Sequence, residues 1–390
     1  MKNTKLISLL LSLLTLASCT QDSTNFSIIA DKAAIVATIA ADYSSGAHAV
    51  ISKDANGVRI ATNDLLPTGS DITLAANGTD FYRIERAFAG NNITKFSGSD
   101  AQTPIWQYST NDAGSAVLSN PYDMIFVSET KAYVLRYGTG VAWIVNPSAA
   151  TEAEFKIGEL DLSAYDADGV PDMSTAVVAN GRLYIAMQRM EFWTPTQNSY
   201  VAIFDINTDQ EIDANIGGDT LKGIPLLTRN AGKIIFEPVS NSIFVQSSGY
   251  IHWSGNTYEF TGGIEKIDLA TLTTTVVLDD GDDLDLVAAH PYGSITQLAM
   301  VSNDVIYFVG YFGAFDQTLF KLNLLSNEIT PTGVVSLVNG QISGLSVDSQ
   351  GLLWVSDSAN ATVRVIDPAT GDEVDALYTN LNPEKVVFVK

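Results

Sequence analysis

NPEKVVFVK, residues 382–390, ends the chain with what reads as the opening strand of a repeat that never continues. The same design stands at residues 120–128 as NPYDMIFVS, where further β-rich runs follow it. At the other end, the first recognisable unit, from about residue 32 to residue 66, lacks such an opening strand. Pairing the last strand into the first unit would remove two open sheet edges at once, and unpaired edges are what β-proteins must otherwise protect. A closed ring is the expectation.

The units between these ends repeat. Runs carrying an aromatic among aliphatic residues recur as FYRIER at Phe81, AYVLRY at Ala132, RLYIAM at Arg182, SIFVQS at Ser242, VIYFVG at Val305 and LLWVSD at Leu352. Several follow turn signals such as Asn77-Gly78, Asn180-Gly181 and Gln350-Gly351. A second run then stops at a short polar residue: Ser52, Ser97, Asn146, Asp205, Asp268, Asn323 and Asp367, seven copies at intervals of 44 to 63 residues. Side chains of this kind bond nearby backbone N–H groups and start a turn. Units of this length, with about four short strands and no helical period, mark β-propeller blades. Consecutive βαβ units would need amphipathic helices, and none is read. A pair of β-sandwiches is the alternative, which the sevenfold count disfavours. The expected fold is all-β, a seven-bladed β-propeller forming a single domain over residues 32–390.

Lys2 and Lys5 precede LISLLLSLLTLA, an apolar run too short to span a bilayer and typical of a signal peptide. Leu-Ala-Ser-Cys at residues 16–19 resembles the bacterial lipobox, in which the thiol is acylated and the chain cut before it. The expected organisation is a signal peptide over 1–18 and a lipidated Cys19 with a tether over 19–31. An ordinary secretory leader is the alternative. Thr20 and Gln21 after the cysteine look like outer-membrane sorting, with the protein facing outward or into the periplasm. The net charge of −23 argues against nucleic acid or an anionic lipid surface as partner. With one cysteine the chain forms no internal disulfide, and a structural zinc site is not expected.

AYVLRY and VRVIDPATGDEV resemble the YVTN-type propellers of secreted bacterial proteins. DYSSGAHAV, NPYDMIFVSETKAYVLRYG and LDLSAYDADGVPDMS resemble propeller lipoproteins of Gram-negative bacteria, over nearly the whole chain after the leader. Some outer-membrane lipoproteins of this architecture capture cobalamin or ferric siderophores for TonB-dependent transporters. The resemblance therefore implies ligand capture, with such a transporter as partner. It is an implication by fold, and one fold hosts many functions.

Loops between the second and third strands of each blade should share one face of the ring. Blades four, five and six carry QRMEFWTPTQNS, SSGYIHWSGNTYEFTGG and GYFGAFDQT, so one sector is expected to be extended and aromatic. It holds Phe192, Trp193, Tyr250, His252, Trp253, Tyr258, Tyr311, Phe312 and Phe315. Exposed clusters of this size mark contact surfaces; the alternative is that they seal the core. Arg86, Arg136 and Arg189 follow the strand aromatics of blades two, three and four, and together would gather positive charge near the channel mouth. A guanidinium fork suits carboxylate, phosphate or catecholate oxygens, whereas pairing with Glu85 or Glu191 would make the arginines interblade ties.

Asp166, Asp168 and Asp172 around Gly169 resemble part of a calcium loop, and residues 279–285 (DDGDDLD) are acid-rich, but neither keeps an EF-hand spacing. No cofactor is expected: solvated acidic turns account for both stretches, with calcium as the alternative. His48, His252 and His290 have no metal-like spacing. Motifs of nucleophilic or phosphate chemistry are missing, so a lyase or lactonase would have to draw on separate loops, with His252 and Asp172 as first candidates. The expected function is capture of an acidic or aromatic small molecule on the loop face. A protein-interaction scaffold and a metal-dependent propeller enzyme are the alternatives.

Overall fold

The computed structural model describes residues 33–216, 218, 220–252, 257–281 and 291–390, with backbone alone at 252, 257 and 258. Its strands form seven four-stranded antiparallel sheets, each a blade, plus one small hairpin. The ring closes as the end of the sequence implies. Asn382–Val389 pairs antiparallel with Ala33–Ile39, from Ala33 opposite Val389 to Ile39 opposite Asn382. It is thereby the innermost strand of blade 1, whose outer strands are Gly46–Lys53 and Arg59–Thr68.

The strands read as apolar runs because a blade is covered on both faces. In Arg182–Met187, alternate side chains leave opposite sides of the sheet. Leu183, Ile185 and Met187 pack on Tyr133, Leu135 and Ile144 of the preceding blade. Tyr184 and Ala186 pack on Ile234, Ile243 and Val245 of the next. Full burial of each large side chain contributes about 1.5–3 kcal/mol, which is how a ring without disulfides holds together.

The turns use the chemistry their residues suggest. The Asp205 carboxylate accepts N–H bonds from Asn207 and Thr208, and Asp268 and Asn323 repeat the pattern. Asn180 and Gly181 both take positive φ, 50° and 75°, as a two-residue hairpin turn requires.

Seven innermost strands line the central channel: Asn382–Val389, Ile72–Asn77, Pro121–Ser128, Met173–Ala179, Ala231–Glu237, Ser294–Ser302 and Ile342–Val347. Six of them shift register within their first few residues. The pairing of Ile72–Asn77 alone runs without a shift. A bulge adds one residue and re-aims its neighbours, so two successive side chains reach the channel where strict alternation would send one.

One expected loop is a strand. Residues 310–318 of blade six do not form a long excursion: Val305–Gly313 and Asp316–Asn323 pair to the tip, leaving a turn of Ala314 and Phe315.

Candidate functional site

Doubled polar positions created by the bulges build a cavity of about 300 Å³ at the loop-face end of the channel. Tyr122 with Asp123, Ser174 with Thr175, Thr296 with Gln297, and Glu384 with Lys385 are such pairs, and Lys233 follows Gly232 in the same way. Much of this polar wall is occupied in tying neighbouring inner strands, which have no ladder between them. Ser174 donates to the Ala231 carbonyl at 2.7 Å, Gln297 to Ser343 at 3.0 Å, and Ser346 to Val386 at 2.7 Å. Ser343 donates to the Pro383 carbonyl in the same manner.

The charged groups are less balanced. Lys385 pairs with Asp123 at 3.6 Å, and Arg86 pairs with Asp71 at 2.7 Å. Lys233, half-buried in the wall, makes no ion pair among the described residues. Burial, with the Lys385 ammonium adding to it, pushes its amine down to about 8, against the weaker pull of Asp123. Burial likewise raises the Glu384 carboxyl to about 7, opposed by Arg86. Near neutral pH Lys233 is therefore largely charged while Glu384 is only about half so.

An aromatic stack leads to this cavity from the rim. Trp193, 76% exposed, lies parallel to Tyr137 at 6.3 Å, and Tyr137 stacks on Tyr122 at 4.3 Å. The Arg86 guanidinium covers Tyr122 at 4.9 Å. Tyr137 also donates to Gln188, another residue of the cavity wall. Arg86 and Trp193 are thus brought into one arrangement across three blades.

The arginine trio is not. Glu85, Arg136 and Met187 face the first residues of their inner strands, Ile72, Pro121 and Met173, so these three positions are equivalent. Arg86 lies one residue beyond that position and Arg189 two beyond it, which points the three side chains in different directions. Arg136 is buried against Trp143 at 4.4 Å, pairs with Asp112 at 2.6 Å and donates to Thr110. Arg189 donates to the carbonyls of Tyr165 and Asn198 and to Gln197, over the Tyr200 ring. Both are structural ties, and the expected cluster reduces to Arg86.

Among the aromatic candidates, Phe192 and Phe315 are exposed and Phe312 is partly so. Tyr43 and Phe88, in the corresponding loops of blades one and two, are exposed as well, so the aromatic rim extends beyond the expected sector. Tyr311 is corrected: it is buried, because the extended hairpin of blade six pairs it with Ser294 and Gln317. Tyr250 begins the small hairpin of Tyr250–His252 and Thr257–Glu259, and its hydroxyl shares a hydrogen bond with Thr194. Cys19, Trp253, His290 and the side chains of His252 and Tyr258 lie outside the described residues.

Phe192 and Trp193 form a two-residue turn between Glu191 and Thr194 with φ of 49° and 66°, and Ala314 and Phe315 repeat it with 51° and 66°. Such conformations suit Asn and Gly; bulky side chains are strained there by about 1–2 kcal/mol per residue. Strain of this kind gathers at contact sites.

Among the described residues no group of three or more potential metal ligands occurs, the acidic loop of blade four included. Asp168 accepts from the Val170 N–H and Asp166 from Ala167. Asp172 accepts from the Met190 N–H at 2.7 Å. Burial raises Asp172 to about 7, opposed by that hydrogen bond and reinforced by Asp168 and Asp166. It is nearly covered and braces the loop that presents Trp193.

The Lys233, Glu384 and Lys385 positions escaped the sequence reading. Their signal was present in the doublets Tyr122-Asp123 and Glu384-Lys385, which occupy the same place in NPYD and NPEK.

No protein-family model matches the chain, and no curated protein matches it. Solved structures share its fold. A 6-phosphogluconolactonase candidate from Bacteroides fragilis is similar at 13% identity and a TM-score of 0.59, covering 93% of this chain and 99% of its own. A protein from Lactobacillus plantarum is similar at 13% identity and 0.59, covering 92% and 100%. The hydrazine synthase of Kuenenia stuttgartiensis is similar at 11% identity and 0.54, covering 79% and 86%. At these identities the likeness concerns the fold alone.

Proposed function

We propose that this protein captures an anionic small molecule at the loop-face mouth of its channel and holds it without chemistry. The observation that carries this reading is Lys233, half-buried in the cavity wall with no ion-pair partner among the described residues, in a chain of net charge −23. Holding even a half-buried charge without a partner is costly, and acids are abundant in this sequence. A bound carboxylate, phosphate or catecholate would supply the missing counter-charge. The stack of Trp193, Tyr137 and Tyr122 would guide and cover an aromatic ligand, and Arg86 would orient its acidic group.

In its fuller form the reading places the protein at the outer membrane, lipid-anchored through Cys19, with a TonB-dependent transporter receiving the ligand. The leader and the Leu-Ala-Ser-Cys stretch support that setting. Acyl labelling lost in Cys19→Ser is the expected result, and retained labelling would count against it.

An aromatic carboxylate tests the capture step. Titration with 2,3-dihydroxybenzoate should show one saturable site, weakened at least tenfold in Lys233→Gln and a few-fold in Trp193→Ala. Arg136→Lys should leave affinity unchanged. Equal binding by wild type and Lys233→Gln would refute the site.

A further inference from the structure

The polar cavity does not end at Lys233. A second chamber of about 400 Å³ lies further along the same inner strands and shares Lys233, Leu345, Ser346 and Lys385 with the first. Past the bulges the strands resume alternation, so residues two apart face the same way. Ile235 therefore follows Lys233 on the channel side, and Val387 follows Lys385. With Met300, Val347 and Phe388 they give the second chamber an apolar wall. Ile235, Met300, Val347 and Val387 are only half-buried, unlike the fully covered aliphatic side chains between blades. The channel thus presents two ammonium groups at the boundary between a polar chamber and an apolar one.

We infer that the anion captured here is the head of an amphiphile: a straight-chain carboxylate with its head between Lys233 and Lys385 and its tail along Ile235, Met300 and Val387. This rests on the anion-capture reading and adds the chemical class of the ligand. Head and tail are each matched by what the chain leaves incomplete. The carboxylate supplies the counter-charge Lys233 lacks, and the tail covers aliphatic surface that otherwise faces confined water. An alcohol of equal length would satisfy only the second requirement and a short acid only the first.

Calorimetric titration of the full chain with decanoate, butyrate, 1-decanol and 2,3-dihydroxybenzoate tests the inference. Decanoate should bind once per chain, at least tenfold more tightly than butyrate and than 1-decanol. Lys233→Gln should erase the advantage of decanoate over 1-decanol. Ile235→Phe and Ala76→Phe, which put bulk into the apolar chamber, should erase its advantage over butyrate and leave 2,3-dihydroxybenzoate binding intact. The chain-length comparison on the wild type stands whether or not either variant folds. If 2,3-dihydroxybenzoate binds but decanoate binds no better than butyrate, the inference is overturned and anion capture survives. If none of the anions binds, anion capture fails first and the inference falls with it.

Discussion

His48 shows how one buried side chain ties blades together. Its Nε2 lies 2.6 Å from the Ala101 carbonyl, which can only accept, and its Nδ1 lies 3.3 Å from the Arg83 guanidinium, which can only donate. The ring is therefore neutral, protonated on Nε2. Burial first, then the Arg83 charge, push it down to about 4 from 6.5, against the Ala101 hydrogen bond. A depressed folded-state value means the stabilisation is complete above the unfolded value and is lost as pH falls from about 6.5 toward 4. The loss amounts to about 3 kcal/mol. Denaturant melts from pH 7 to pH 4 should show wild type losing that much more stability than His48→Gln; parallel curves would contradict the account. Phe192 and Trp193 make the opposite case, a local choice that works against stability. Replacing them with Asn and Gly should stabilise the protein by about 2–4 kcal/mol in thermal or denaturant melts, by relieving their left-handed backbone. The same change should weaken ligand binding. A variant less stable than wild type would mean that the aromatics serve packing.

Among elements, the strand Asn382–Val389 has the largest effect on the fold, because the ladder to Ala33–Ile39 joins the two ends of the chain. A chain ending at residue 381 should lose cooperative unfolding and self-associate through the exposed edge of Ala33–Ile39, as gel filtration and melting would show. A monomer with wild-type melting would contradict ring closure as a source of stability. The close fit around this strand is visible at Gly344, where a Cβ would collide with the Glu384 carbonyl. The blades were legible because their signals are local: aromatic-bearing runs, polar turn formers and an orphan terminal strand. The channel was not, since a bulge shifts alternation by one residue and only pairing reveals it. Lys233 accordingly gave no sign of facing the channel. Arg136 and Arg189 misled for a related reason, since spacing from an aromatic did not fix their register against the inner strands. Tyr311 misled because Gly310 and Gly313 read as loop residues. In the fold Gly310 admits the Tyr292 backbone, and Gly313, at φ 96°, sits where the pairing shifts near the hairpin tip.

On the scale of the whole molecule, an acidic ring surrounds a channel in which Lys233, Lys385 and Arg86 face Asp123 and Glu384. Capture of an anion should follow the protonation of these groups. Lys233 carries its charge below about 8, and Glu384 gains a negative charge above about 7. Both changes weaken anion binding as pH rises, so affinity should fall steadily from pH 6 to pH 9. The central claim is that Lys233 is a half-buried cation awaiting an anion, and its own titration tests this most directly. Nuclear magnetic resonance of the lysine side chains, assigned through Lys233→Gln, should show Lys233 titrating near 8 in the free protein and markedly higher with 2,3-dihydroxybenzoate or decanoate bound. A Lys233 that titrates near the ordinary 10.5 and ignores both ligands would contradict the account.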